Sequence, residues 1–509
     1  EGGQPASRGL RRIRPRRRCE PRKTVDLTPS GAETRPDFPT PPAPAVMRKT
    51  KIICTIGPQT SSYPMLEKLA AAGMDIVRLN MSHSDHESAR QIIKSIKTLN
   101  RKVTYPIAVL LDTQGPEIRT GDLANELELR NGSIITVNVR DDVDVEASSL
   151  HINYDELIDA VDVGDRITVD NGIINLEVLE KQENGTMRCR VIDGGILKSK
   201  RHVNLPGIRV NLPAITKKDR ADILFALEEQ VDFIALSFVR EAEDIRELRE
   251  LMGPKAGKIK VIAKIEDQLG VQNLEEILEE SDGVMVARGD LGVEINVAAL
   301  PNVQRRIVQL CAQRGRRVIV ATHLLESMIT NPIPTRAEVT DVANAIYEEV
   351  DAIMLSGETT IGRYPVRCVE QLVEIAETTE SFQGLEFTRE LAQNDDKQRL
   401  AYTAVQLAES TSAAGIVVIT RRGLMADYVT NCHPQQTRIY AFTNDSQTRR
   451  RLRMNRNVSP FRTAFSNDPE KTLQTAFDVL RERVGMGSGD KVVVISDILA
   501  GTGIEAIQI

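Results

Sequence analysis

A chain of 509 residues, 41% hydrophobic and 27% charged, is too long for one small core and has the composition of a globular protein of roughly two to four domains. Its net charge of −6 hides an asymmetry: residues 1–46 carry ten Lys/Arg against five Asp/Glu, so the remainder stands near −11, which excludes general nucleic-acid binding by the main body. No apolar run approaches the ~20 residues of a membrane span, and six scattered cysteines without a CxxC pair fit a reducing, cytoplasmic setting better than a disulfide framework or zinc site.

The first 46 residues hold nine of the 23 prolines and six arginines between Arg11 and Arg18. Such a stretch cannot bury enough apolar surface to fold and reads as a disordered basic extension. It lacks the apolar core of a secretory signal, and Glu20, Asp26, Glu33 and Asp37 argue against a transit peptide. A basic nucleic-acid arm stays open. An upstream extension or an over-long reading frame better explains a chain that opens at Glu1 while folded-looking sequence begins at Met47, and the segment is assigned no function.

From Met47 onward, β-branched runs recur at 51–57, 75–83, 107–115, 233–239, 260–266, 283–290, 317–323 and 352–358, with helical stretches between most of them. Continuous apolar runs suit strands covered on both faces, and Tyr63–Ala72, Glu87–Leu99 and Arg220–Glu229 show helical apolar spacing. Eight strand–helix units predict an α/β fold built on a (β/α)8 TIM barrel, whose sites lie at the strands' C-terminal ends. Those ends are polar: Arg78, Asn80 and Ser82; Asp112 and Thr113; Ser237; Lys264 and Glu266; Asp290; Thr322; Ser356 and Glu358. Between the third and fourth runs, short β-rich pieces separated by turn residues predict a small β-barrel lid domain inserted at about 116–212. The helical stretch 366–379 completes the barrel over 47–115 and 213–380. Alternation then resumes over 381–509: helix 397–412, strands at 415–420, 438–443, 491–496 and 504–509, and helix 469–484, an open α/β domain.

The stretch from Lys260 to Glu294 concentrates the chemistry. Lys264 and Glu266 lie at i, i+2 on one strand and so point the same way, and Asp290 ends the next apolar run. A cation and two carboxylates at the ends of buried strands are expensive unless something holds them there. Physics alone offers a divalent cation on Glu266 and Asp290, with Lys264 facing an anionic substrate. A structural Lys–Glu pair with Asp290 as a helix cap is the plainer alternative.

With these residues assembled, KVIAKIEDQLGV is the most specific match to the pyruvate kinase family, and CTIGP, VRLNMSH, DTQGPEIRTG, VNLPG, ARGDLGVEI, LESM, PTRAEVTDVANA and LSGETTIGRYPV, in the order the family expects, extend the resemblance from Arg48 to Ile509. The resemblance implies phosphoryl transfer from phosphoenolpyruvate to ADP, giving ATP and pyruvate, by a homotetramer with a C-terminal regulatory domain. It assigns Mg2+ or Mn2+ to Glu266 and Asp290, and K+ to Asn80, Ser82, Asp112 and the Thr113 carbonyl. Glu117 stands where members that need a monovalent cation generally carry Glu. By the same resemblance Lys264, Arg78, Thr322 and Arg119 are catalytic. Ala287, Arg288, Gly289 and Asp290 receive the substrate carboxylate through backbone N–H groups, and Asn80, His83 and Arg201 face the nucleotide. A rim salt bridge is the plainer reading of Arg78 and Arg119. Departures from the family pattern are Gln114, Arg201-His202 for Lys-Gly, His323-Leu324 for Gln-Met, and Arg363 for Lys. Arg201 keeps the charge but changes the hydrogen-bond geometry. TRRGLMA (420–426) has lost most of the hydroxyls of a phosphate loop, although Arg421 and Arg422 can still attract a sugar-phosphate effector. Two rivals stand beside an active enzyme: another Mg2+–enolate barrel, such as a phosphoenolpyruvate mutase or keto-acid aldolase, and a catalytically silent family member.

Overall fold

The eight predicted runs pair in the order in which they occur. In the computed structural model, which describes Gly2 and residues 48–123, 125–139, 149–170, 172–182, 185–208, 210–496 and 506–508, the strands are β1 (Lys51–Thr55), β2 (Ile76–Asn80), β3 (Ala108–Asp112), β4 (Phe233–Leu236), β5 (Lys260–Ile265), β6 (Gly283–Ala287), β7 (Arg317–Ala321) and β8 (Ala352–Leu355). Every neighbouring pair is parallel, and β1 pairs with β8 to close the barrel. The predicted extension of residues 1–46 lies outside the described residues, Gly2 apart.

Strand alternation divides the barrel into two cores. Ile53, Ile76, Ala108, Leu110, Phe233, Ala235, Ile262, Met285 and Ile319 face inward as one cluster, whereas Val77, Val109, Leu111, Ile234, Val261, Ala263 and Val284 pack against the surrounding helices. Helix starts are written locally. Thr216 and Asp219 form a capping box that opens Lys217–Glu229, and Thr335 with Glu338 opens Arg336–Tyr347.

The barrel floor has a fourfold pattern. Asp75, Asp232, Asp282 and Asp351 immediately precede β2, β4, β6 and β8. Each accepts from the N–H of the second residue of the strand before its own: Ile52 at 2.8 Å, Val109 at 3.0 Å, Val261 at 2.9 Å and Val318 at 3.0 Å. The arginine-rich segment 449–456 reaches three of them: Arg453 pairs with Asp75, Arg450 with Asp232, and the Arg456 N–H donates to Asp351. Met454 of the same segment joins the inward-facing barrel core.

Between β3 and β4 the chain forms a six-stranded sheet in the order Val203–Asn204, Arg166–Val169, Ile174–Lys181, Thr186–Asp193, Ile134–Asn138, Ser149–His151, and a separate pair, Leu127–Leu129 with Gly195–Leu197. Among the described residues its two edges are joined by the isolated bridges Arg119–His202 and Thr120–Ile152, so the expected small barrel closes through a two-residue link. The C-terminal strands β9 (Gly415–Ile419), β10 (Ile439–Thr443), β11 (Val458–Arg462), β12 (Val492–Ser496) and β13 (Ala506–Gln508) form a sheet in the order β11-β10-β9-β12-β13. Strand β11 is one the sequence reading did not predict. It contains Pro460, which cannot donate to a ladder and is tolerated because β11 is an edge.

Candidate active site

The inward-facing positions one step above the apolar barrel core are Thr55, Arg78, Asp112, Ser237 and Lys264. Each follows an inward apolar residue on its own strand by two positions: Ile53, Ile76, Leu110, Ala235 and Ile262. Strand parity therefore turns five polar groups into one layer at the mouth, where the C-terminal ends of barrel strands open.

Lys264 is the hub. Its Nζ lies 2.6 Å from Ser237 Oγ, 3.0 Å from Asp112 Oδ1 and 3.1 Å from Glu266 Oε1. Arg78 holds the other face of Asp112, with Nε 2.6 Å from Oδ2, and donates through Nη1 to Thr55 Oγ1 at 3.0 Å. The Ser237 hydroxyl accepts from Lys264 and donates to the Thr113 carbonyl at 2.7 Å. Glu266 Oε2 accepts from the Phe238 N–H at 2.7 Å. Gly115, with φ +77°, lets the turn after β3 pass close to Ser237, where a Cβ would sit 2.7 Å from the serine Cβ. Its N–H is anchored at 3.0 Å by Asp219, the capping-box residue.

The electrostatics separate the two buried carboxylates. Burial favours the neutral form of both, but Asp112 lies between Arg78 and Lys264 and is held below the usual carboxylate range. Glu266 shares one ammonium and feels Asp290 and Asp112 nearby, so burial pushes it up to about 7. Burial would lower Lys264, yet Asp112 and Glu266 reverse this and hold it above its usual value, so it remains an ammonium. Two cations thus face three carboxylates, and Glu266 and Asp290 are left short of positive charge. Among the described residues no three His, Cys, Asp or Glu side chains form a ready-made metal cage. A hard divalent cation that takes one or two protein carboxylates and fills its shell with substrate and water oxygens fits this donor set.

The rim beside Asp290 is strained. Phe238, Thr322 and His323 have φ of +53°, +71° and +56°, the left-handed region that β-branched and aromatic residues avoid. The Arg288 side chain holds the turn after β7. It donates to the Thr322 carbonyl from Nη2 at 2.6 Å and to the Ala321 carbonyl from Nε at 3.2 Å, and pairs with Asp341 at 2.7 Å. Gly289 passes so close that a Cβ would lie 3.1 Å from Thr322 Cγ2.

Other expected site residues lie around this core. Asn80 Oδ1 accepts from the Ser82 N–H at 3.2 Å, and the His83 N–H donates to the Asn80 carbonyl, which gathers the expected monovalent-cation donors beside Asp112 and Thr113. Arg119 forms the rim salt bridge, to Glu117 at 2.6 Å, and donates to the Lys200 carbonyl. Gln114 donates to the same Glu117 at 3.1 Å. Arg201 faces Asp170 of the insert at 3.5 Å rather than the buried network. Glu358 is buried as a loop clamp, accepting from the Leu325 and Ser356 N–H groups. The sequence reading listed Ser237 among the polar strand ends but gave it no role, and it missed Thr55, the last residue of β1, and Asp341, hidden on a helix face.

With this geometry in place, the pyruvate kinase barrel domain matches residues 47–369 and the pyruvate kinase alpha/beta domain matches residues 398–506. The chain belongs to the pyruvate kinase family. Plastidial pyruvate kinase 2 of Arabidopsis thaliana is 40% identical over 457 residues, which is 89% of this chain and 78% of the relative. Pyruvate kinase of Geobacillus stearothermophilus is 42% identical over 468 residues, again 89% of this chain and 78% of the relative. Among the described residues no helix is long and apolar enough to cross a membrane.

Proposed function

We infer that this pyruvate kinase family chain transfers the phosphoryl group of phosphoenolpyruvate to ADP, giving ATP and, after protonation of the enolate, pyruvate, the last step of glycolysis. The observation that carries the reading is the buried chain Arg78–Asp112–Lys264–Glu266, all four groups paired at one barrel mouth. Phosphoryl transfer spreads charge over oxygens and asks the protein mainly for fixed counter-charge. Lys264, kept as an ammonium, neutralises the moving phosphoryl group and the enolate oxygen, and Arg78 contacts the phosphoryl group. Glu266 and Asp290 would hold Mg2+ or Mn2+, which when bound supplies charge neutralisation between the substrate's carboxylate and phosphoryl oxygens. Asn80, Ser82, Asp112 and the Thr113 carbonyl, all hard oxygen donors, would hold K+. Backbone N–H groups of Ala287, Arg288, Gly289 and Asp290 receive the substrate carboxylate. The Thr322 hydroxyl anchors a water relay for enolate protonation, since a threonine alone is too weak an acid. Asn80, His83 and Arg201 serve the nucleotide, and Arg119 assists at the mouth when the insert closes as a lid.

The same reading assigns the catalytic barrel to 47–115 and 213–380, the lid to 116–212 and regulation to 381–509, in a cytoplasmic homotetramer. A cavity of about 430 Å3 supports a sugar-phosphate effector: Arg422 and Arg451 line it, and the buried Arg451 Nε and Asn431 Oδ1 have no hydrogen-bond partner among the described residues. Calorimetry with fructose 1,6-bisphosphate and sugar monophosphates tests that point, and light scattering tests the tetramer. One lactate-dehydrogenase-coupled assay with phosphoenolpyruvate, ADP, Mg2+ and K+ tests the activity. Absence of pyruvate, or none lost in Lys264→Met, overturns the reading. Activity unchanged after a bulky organic cation replaces K+ and Na+ overturns the monovalent site.

A further inference from the structure

We propose that His202 is a positioning residue through which the inserted domain sets the metal carboxylates, so that seating of the insert and binding of the divalent cation favour one another. The proposal rests on the reading of Glu266 and Asp290 as the cation's ligands. His202 stands at the strand pair that joins insert to barrel. Its backbone bridges to Arg119, its carbonyl accepts from the Asp170 N–H at 2.9 Å, and the Val203 N–H donates to the Ile118 carbonyl at 2.8 Å. These bonds tie the imidazole to the insert's own sheet, so the ring moves with the insert.

The ring meets both halves of the metal site. Nδ1 lies 3.6 Å from Asp290 Oδ1, and among the described residues no other basic side chain comes within ion-pairing distance of that carboxylate. The distance is roughly half an ångström outside hydrogen-bonding range, so a small inward shift of the insert completes an N–H···O bond in the Nδ1–H tautomer. On its other side the ring packs on Phe238 with centroids 6.0 Å apart. Phe238 carries the positive φ and the N–H that fixes Glu266. One side chain of the insert therefore touches Asp290 directly and Glu266 through Phe238. Groups that orient ligating carboxylates raise metal affinity, commonly by tenfold or more. Linkage then requires the converse: if a seated insert strengthens cation binding, the cation strengthens seating by the same factor. The glycine of the family pattern at this position can do neither.

The test uses the full chain without phosphoenolpyruvate or nucleotide. Mn2+ affinity is read by electron paramagnetic resonance titration in wild type, His202→Gly, His202→Phe and His202→Gln, and backbone hydrogen exchange is followed over residues 199–205. His202→Phe keeps the packing on Phe238 and removes the donor, whereas His202→Gln keeps a donor. The expected result is Mn2+ binding weakened about tenfold in the Gly and Phe variants and within about threefold of wild type in Gln. Mn2+ should slow exchange at 199–205 in wild type and Gln, and leave Gly and Phe unchanged. Affinities of the folded Gly and Phe variants within twofold of wild type, or equal Mn2+-induced protection in all four proteins, overturn the proposal. Glu266→Gln, run in parallel, separates the two readings: undiminished Mn2+ binding there overturns the metal site itself, and the role of His202 falls with it.

Discussion

On the β3–β5 side of the barrel mouth, Asp112, Ser237, Lys264 and Glu266 are at most 7% exposed, and the first, second and fourth meet Lys264 Nζ at 2.6–3.1 Å. On the side that faces the insert, the Asp290 side chain is 37% exposed, and the His202 imidazole stands 3.6 Å from it. The first side is a closed network of ion pairs and hydrogen bonds among alternating strand residues that point at one another. The second side is assembled from a strained turn, a short helix and a residue of another sheet, so its geometry depends on where the insert sits. Fixed counter-charge belongs on rigid strands, while groups that admit and release ligands belong on parts that move.

The largest effect should come from breaking the rigid side. Asp112→Asn leaves Arg78 and Lys264 sharing a neutral amide in a buried place. Loss of one partner of a buried ion pair costs about 3–5 kcal/mol, and the turnover number should fall at least ~10^3-fold. Denaturant melts and the coupled assay read both, and activity within tenfold of wild type would show that the network is not what sets the rate. An intermediate effect is expected at the junction of the two sides. Arg288→Lys keeps a charge near Asp341 but loses the fork on the Thr322 carbonyl. The turn should relax and kcat should drop by about 100-fold with KM for phosphoenolpyruvate little changed, since displaced groups cost rate more than binding. A change confined to KM would mean that Thr322 acts in binding alone.

The smallest effect concerns the insert side and is a matter of stability. Glu294 accepts from Asn204 of the insert at 2.8 Å, and burial, aided by Asp267 and Asp290, pushes it up to about 7 from 4.5. A raised carboxyl stabilises the fold below its unfolded value near 4.5 and loses that contribution as pH rises through about 7. Glu294→Gln keeps the acceptor and removes the titration. It should therefore be more stable than wild type at pH 8, by an amount on the order of 2 kcal/mol, and should lose that advantage towards pH 4.5. An unchanged melting difference across that range would place the charge of Glu294 in solvent.

How much of this was legible depended on whether a local pattern carried it. The eight barrel strands were readable because buried parallel strands are continuous apolar runs, and Lys264 with Glu266 because i, i+2 spacing on a strand fixes a shared face. Strand β11 was not, since VSPFR is short and contains Pro460, a residue that normally argues against a strand. The roles of Ser237 and Asp341 were hidden because a lone polar strand end or helix residue has no period, and only the closed barrel brings Ser237 to Lys264. The Arg288–Gly289–Asp290 stretch opens a helix, and its arginine side chain turns inward to hold a strained threonine, which residue type alone does not show. Nothing in residue type announces positive φ at Thr322 or Phe238; it is imposed by the packing around them.

Met454 carries a consequence for modularity. A barrel whose central column ends in a side chain from the far end of the chain is not a separable cassette. Its underside is finished by a methionine and three arginine contacts that lie 70–76 residues beyond position 380. A gene cut near position 380 would yield a scaffold with an open hole at its base, so evolution can trade the C-terminal domain only for one that brings its own stopper.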